Sequence, residues 1–205
     1  LLKELAKVAV AGNTTLDIDD RAMQLCEEWG VGPILLGYHP GFADYPYPAA
    51  VCVSVNNCVQ HGIPSEEVVL HEGDVVNIDT AIDYKGFILD SGITVGVGEI
   101  DADAKKLLAV TQEALAHGIK AAKPGNRIGD ISAAIETFVK SRGLSVVEVL
   151  CGHGVGYKVH EEPTIPNFGR AGTGPLIEVG HVYAIEPIVN FGDKEVFFDD
   201  EGDGY

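Results

Sequence analysis

Two stretches of this chain repeat each other. Gly12-Asn13, then Asp17-Ile18, then a helical stretch closing at Gly30 are answered by Gly125-Asn126, Asp130-Ile131 and a helical stretch closing at Gly143, all at one constant offset. His61, with Pro64 three residues on, is answered by His160 and Pro163. Gly73, Val75, Ile78 and Asp79 are answered by Gly180, Val182, Ile185 and Glu186. The matches keep one order in both halves, so a duplication is the economical reading. Each half then supplies a helix, a histidine and an apolar strand carrying one acid. Halves of this kind are expected to pack about a pseudo-twofold axis, with both acids directed at the shared centre.

Periodicity predicts the elements between these landmarks. Leu16 to Trp29 has helical spacing, with Ile18, Ala22, Leu25 and Cys26 on one face. Ala104 to Ala122 and Ile128 to Arg142 read as two further helices, the first stopped by Lys123-Pro124-Gly125. Strands are expected at Val51 to Val55, Val75 to Ile82, Phe87 to Val97, Ser145 to Leu150, Val182 to Asn190 and Glu195 to Phe198. Strands mixed with helices in this way place the chain in the α+β class.

Charge and cysteine usage narrow the function. The formal net charge of −17 argues against a nucleic-acid ligand, because phosphate binding needs clustered Lys and Arg. No apolar run reaches the roughly 20 residues of a membrane span, and the first residues are charged and amphipathic rather than a signal peptide. The cysteines Cys26, Cys52, Cys58 and Cys151 form no CxxC pair and suit a reducing compartment.

The acids ask for a cation. Asp83-Tyr84-Lys85-Gly86 is a tight-turn sequence. A two-residue loop at Tyr84-Lys85 would set Asp79 directly opposite Asp90, and carboxylates so close among apolar neighbours repel unless a cation lies between them. The other reading of the pair is a solvent-facing hairpin. His153 has glycine on both sides, in Cys151-Gly152-His153-Gly154-Val155-Gly156, which permits close backbone approach. Glu186 ends an apolar strand, where an acid without a partner is costly. Asp79, Asp90, His153 and Glu186 form a mostly oxygen donor set, which favours Mn, Fe(II), Co or Mg over a thiolate-type structural zinc site. His61 and His160, as repeat mates, are candidates to hydrogen-bond a substrate.

These motifs resemble the type I methionine aminopeptidases, of the pita-bread fold shared with prolidases and creatinase. The resemblance is carried by Leu36-Gly37-Tyr38-His39, Val51-Cys52-Val53-Ser54-Val55-Asn56, His61-Gly62-Ile63-Pro64, Gly73-Asp74-Val75-Val76-Asn77-Ile78-Asp79, Cys151-Gly152-His153-Gly154-Val155-Gly156, His160-Glu161-Glu162-Pro163 and Ile185-Glu186-Pro187. The short interval between His153 and Glu186 favours type I, because type II enzymes carry a long insertion there.

The resemblance implies a single catalytic domain over 1–205, with an antiparallel sheet, flanking helices and an internal pseudo-twofold repeat. It implies removal of the N-terminal methionine from nascent proteins. Asp79, Asp90, His153 and Glu186 would hold two divalent metal ions (Co, Mn, Fe or Zn), whose shared water loses a proton near neutrality and attacks the first peptide bond. Glu186 would shuttle the proton, and His160 and His61 would act at the substrate as catalytic and binding groups. Tyr38, Phe42, Cys52 and Val159 are the candidates for the methionine pocket. The expected setting is a cytoplasmic monomer acting on peptides with an N-terminal Met, transiently at the ribosome, with no nucleic-acid substrate and no membrane. The resemblance also implies a fifth ligand, a Glu on a final strand, so the chain is expected to be incomplete at its C-terminus and trimmed at its N-terminus. Two local departures are the long segment Pro40 to Pro48 and Val159, where the family often has an aromatic residue. The alternatives are a prolidase-like peptidase of the same fold and a non-catalytic binding protein that keeps it.

Overall fold

The first long helix starts just after the repeated Gly12-Asn13. In a computed structural model, which describes residues 1–39 and 45–197, helix α1 (Leu2–Leu5) precedes α2 (Thr15–Trp29). Thr14 caps α2 reciprocally: its Oγ1 accepts from Asp17 N at 3.2 Å, and Asp17 Oδ2 accepts from Thr14 N at 2.6 Å. The helix ends on Gly30, whose φ of 65° is left-handed. In the second half, α3 (Ala102–Ala121) is followed by α4 (Ile128–Ser141), where Asp130 Oδ2 accepts from Arg127 N at 2.7 Å.

The hydrogen bonds of the two halves repeat as the residues do. Asn13 Nδ2 donates to Val8 O at 2.9 Å, and Asn126 Nδ2 donates to Ala121 O at 2.9 Å. Gly12 N reaches Leu70 O, as Gly125 N reaches Ile177 O. Thr14 bridges Val69 as Arg127 bridges Leu176. The duplication read from the sequence is therefore present in the backbone pattern of each half.

The chain divides into two compact units, Leu1–Asp101 joined by Phe197, and Ala102–Val196. In the first, the sheet centres on β3 (Val75–Tyr84). β4 (Phe87–Gly96) pairs with one edge of β3, while β1 (Gly32–Pro33) and β2 (Cys52–Val55) pair with the other edge, all antiparallel. Val76 and Ile78 point from β3 into a core with Ile18, Ala22 and Leu25 of α2, so the alternate residues Asn77, Asp79 and Ala81 take the opposite face. In the second unit, β5 (Ser145–Val146) pairs with β9 (Val189–Asn190), and β6 (Cys151–Gly154) lies between β7 (Glu161–Pro166) and β8 (Tyr183–Ala184). Its core is built on Ile128, Ile131, Ile135 and Val139, one face of α4.

Three expectations of the sequence change. The run Val182 to Asn190 is not one strand: it is broken around Glu186-Pro187, because proline offers no N–H to a ladder. The strand expected over Ser145 to Leu150 ends at Val146, with one further bond from Val147 N to Ile188 O. Residues 195–197 form no strand, and Phe198 lies outside the described residues.

Asp19 is the buried acid of α2, 9% exposed. Its Oδ1 accepts from Ala50 N at 2.8 Å and Val51 N at 3.1 Å, tying the helix to the entry of β2. Burial raises its carboxyl pKa, the two N–H groups offset part of that, and the charge of Asp20 adds to the rise. A raised folded pKa means that this group's stabilisation is fully present below the unfolded value and is lost as pH rises through the folded one. Asp19→Asn keeps an acceptor without the charge. The stability of Asp19→Asn relative to wild type is expected to grow as pH rises above the ordinary carboxylate value of about 4, read from melting temperatures of both proteins. A flat difference would mean that the carboxylate is not held back by burial.

Candidate active site

The first unit contributes two acids on one face of a hairpin. Asp79 lies opposite Gly92, and Asp90 lies opposite Ala81. The directly opposed Asp79–Asp90 pair expected from the turn is thus corrected to a diagonal pair, with Cβ atoms about 7 Å apart. The cause is the turn. The loop is Lys85-Gly86, both at positive φ (58° and 84°), as the tight hairpin turn requires, so Tyr84 pairs with Phe87. Gly92 leaves room beside the acid: a Cβ there would lie 3.4 Å from Asp79 Oδ1. On the other edge of β3, Cys52 lies opposite Asp79. Burial, then the charges of Asp79 and Asp90, push the Cys52 thiol well above its ordinary pKa. It is therefore a neutral, soft contact beside the acids, not a thiolate.

The second unit contributes a histidine with its tautomer fixed. His153 is buried, and its Nδ1 lies 2.8 Å from the Gly154 carbonyl. A carbonyl only accepts, so Nδ1 carries the proton and Nε2 is left to face outward. Nε2 lies 3.2 Å from Glu186 Oε1. Two acceptor atoms facing at that distance need a proton or a cation to reconcile them. Continuing the β6–β8 register by two residues sets Cys151 across from Glu186, as Cys52 faces Asp79. Burial and the Glu186 charge raise the Cys151 thiol pKa in the same way.

Glycine flanks His153 because the strands crowd it. A Cβ on Gly152 would run into the Ala184 carbonyl, and one on Gly154 into the Glu162 carbonyl. His160, exposed, sets its ring edge-on to that of His153, with centroids 4.4 Å apart. Its expected neighbour Val159 is buried.

His61 follows β2 with φ 63°, a left-handed conformation that costs a residue with a side chain on the order of 1–2 kcal/mol. Tyr38 is half-buried, and its carbonyl accepts from Tyr47 N at 2.7 Å. Phe42 lies outside the described residues.

One contributor carried no sequence signal. Asn167, fully buried just after β7, donates from Nδ2 to the Glu186 carbonyl at 2.7 Å and so fixes the main chain of that acid. A buried asparagine beside a strand-breaking Glu-Pro pair would have been the cue, but nothing in the linear pattern joins the two.

Within each unit the donors suit a hard divalent cation: carboxylates in the first, an oriented imidazole and a carboxylate in the second. Among the described residues, no group of three or more His, Cys, Asp and Glu side chains is placed to hold a metal ion. No helix among the described residues is long and apolar enough to cross a membrane.

Comparison with known proteins agrees. The methionine aminopeptidase of Clostridium perfringens is 43% identical over 202 residues, which are 98% of this chain and 77% of that protein. The structure of methionine aminopeptidase from Thermotoga maritima superposes with a TM-score of 0.91 at 41% identity, covering 98% of this chain and 78% of that one. The Rickettsia prowazekii enzyme superposes with a TM-score of 0.93 at 30% identity, covering 99% and 79%. The fold is the α+β pita-bread fold of these enzymes. The profile of metallopeptidase family M24 matches residues 1–204, and on these matches the chain belongs to that family.

Proposed function

We propose that this chain is a metal-dependent methionine aminopeptidase, which cleaves the N-terminal methionine from peptides and nascent proteins. The observation that carries the chemistry is the His153–Glu186 pair, an imidazole whose Nδ1 faces the Gly154 carbonyl and whose Nε2 lies 3.2 Å from a carboxylate oxygen. The identity to curated methionine aminopeptidases supports the specificity, and the prolidase-like and non-catalytic alternatives are not favoured.

In this reading Asp79 and Asp90 of the first unit and His153 and Glu186 of the second are the metal ligands, and 1–205 belongs to one catalytic domain. Two divalent ions, of Co, Mn, Fe or Zn, would supply an activated water and a Lewis acid for the first carbonyl. Glu186 takes the proton of the attacking water and passes it to the leaving amine. His160 donates to the oxygen on which negative charge develops. His61 holds the substrate next to the scissile bond. Cys52, as a protonated thiol, offers the soft contact that suits a methionine side chain, and Tyr38 and Val159 are the further candidates for contact with it. The enzyme works as a cytoplasmic monomer, transiently near the ribosome.

The test is a metal titration with a substrate pair. Metal-free protein is expected to bind Mn(II) by isothermal titration, and the loaded protein to cleave Met-Ala-Ser while leaving Ala-Pro intact. Cleavage of Ala-Pro in preference would move the chain to the prolidases. Absence of both metal binding and cleavage would favour the binding-protein alternative.

A further inference from the structure

We infer that Tyr47 is a positioning residue for His61, acting through the main chain of Gly62. The inference rests on the proposed role of His61 at the substrate.

The strained residue and its support lie next to each other. His61 has φ 63°, and Gly62 after it is gripped on every polar atom. The Gly62 carbonyl accepts from Val53 N at 2.9 Å and from the Tyr47 hydroxyl at 2.9 Å. The Gly62 N–H donates to Ser54 Oγ at 3.1 Å. A Cβ at position 62 would run into the Val53 carbonyl, so the glycine is pressed against β2. Backbone strain persists only where its surroundings over-determine it. Here β2 supplies two of these three bonds, and the Tyr47 hydroxyl supplies the third.

Tyr47 is itself anchored. Its N–H donates to Tyr38 O at 2.7 Å, and its carbonyl accepts from Gly37 N at 2.8 Å. The hydroxyl also reaches the Val51 carbonyl at the longer distance of 3.2 Å. A hydroxyl has one proton, so the shorter contact to Gly62 is the stronger claim on it. Burial, followed by the Cys52 thiol, holds the phenol above its ordinary pKa, so it stays a donor throughout the working range. Tyr47 thereby ties the approach to β2 and the His61 turn at its hydroxyl, while its main chain holds the Tyr38 segment. Loss of that oxygen frees the turn to relax toward ordinary dihedrals, which swings the imidazole.

The test is a double-mutant cycle on the full chain loaded with Mn(II), with Met-Ala-Ser as substrate. Tyr47→Phe is expected to lower kcat/KM by about tenfold, with unchanged Mn(II) stoichiometry and a melting temperature within about 3 °C of wild type. In a His61→Ala background the same change is expected to matter by less than about twofold, because its effect passes through the imidazole. Tyr47→4-aminophenylalanine keeps a donor at the ring tip and is expected to restore the wild-type rate. Equal losses from Tyr47→Phe in both backgrounds would overturn the inference and leave the role of His61 standing. A failed rescue by the amino variant would also overturn it. If His61→Ala alone leaves kcat/KM unchanged, the substrate role of His61 falls, and this inference with it.

Discussion

Glu186→Gln is expected to lower turnover of Met-Ala-Ser by about 10²–10⁴-fold, while the metal-free protein becomes no less stable. The two effects separate because of what Glu186 faces. In the folded chain Nδ1 of His153 is committed to the Gly154 carbonyl, so its lone pair on Nε2 points at Glu186 Oε1 from 3.2 Å. Without a cation, a carboxylate there opposes that lone pair unless a proton is shared. A glutamine amide can turn its NH₂ to Nε2 and make a hydrogen bond worth about 0.5–1.5 kcal/mol. With a cation, the same substitution removes a negative ligand and the group that takes the proton. Melting of the metal-free proteins near about pH 8, above the ordinary imidazole range, reads the first effect; initial rates with excess Mn(II) read the second. A marked fall in the metal-free melting temperature would show that Glu186 is a structural acid. Undiminished turnover would remove it from the chemistry.

Gly152→Ala and Gly154→Ala are expected to destabilise the second unit by roughly 1–3 kcal/mol each and to abolish tight metal binding. Both methyl groups would meet backbone carbonyls, of Ala184 and Glu162, on the strands flanking β6. A carbonyl in a ladder cannot step aside as a flexible side chain can, so the strands must part and His153 shifts with them. Gly92→Ala is the contrasting case. Its methyl group would meet Asp79 Oδ1 at 3.4 Å, a near-ordinary contact with a side chain. That variant is expected to fold with nearly wild-type stability. Chemical denaturation of the three variants, with Mn(II) titration of each, checks the ordering. Equal stabilities would mean that the crowding around β6 is relieved by small backbone adjustments.

The sequence carried the candidate site further than it carried the strands. The hairpin shows why. Placing the loop one residue early, at Tyr84-Lys85, slid every cross-strand partner by two, so Asp90 was set opposite Asp79 in place of Gly92. A slip of two preserves the face of a strand, so the conclusion that the two acids share a face survived an error in their register. The loop was misplaced because Lys85 takes a positive φ that glycine or asparagine would have advertised. β7 was missed for a related reason: Glu161–Pro166 contains two prolines, which speak against a strand in any reading of propensity. Its pairing with β6 is a tertiary fact, as is the bond from Asn167 to the main chain of Glu186. Neither leaves a period or a motif behind. The repeat was legible because both halves reuse the same turn, the same asparagine bond and the same helix start, and these are local.

The confinement of every described strand pairing to one unit also bears on how the chain is made. The ladder of the first unit needs no residue later than Val97: β1 through β4 find their partners between Gly32 and Gly96, and the Val97 N–H closes onto Asp74 O. A polypeptide leaving the ribosome from its N-terminal end can therefore complete that sheet, with its core of Ile18, Leu25, Val76 and Ile78, while α4 is still being translated. The β3–β4 connection is a tight turn, and lengthening a loop adds only slowly to the entropic expense of closing it, so the emerging half can pair its strands before its counterpart appears. A molecule proposed to trim nascent chains would on this account begin to mature as a nascent chain, one half at a time.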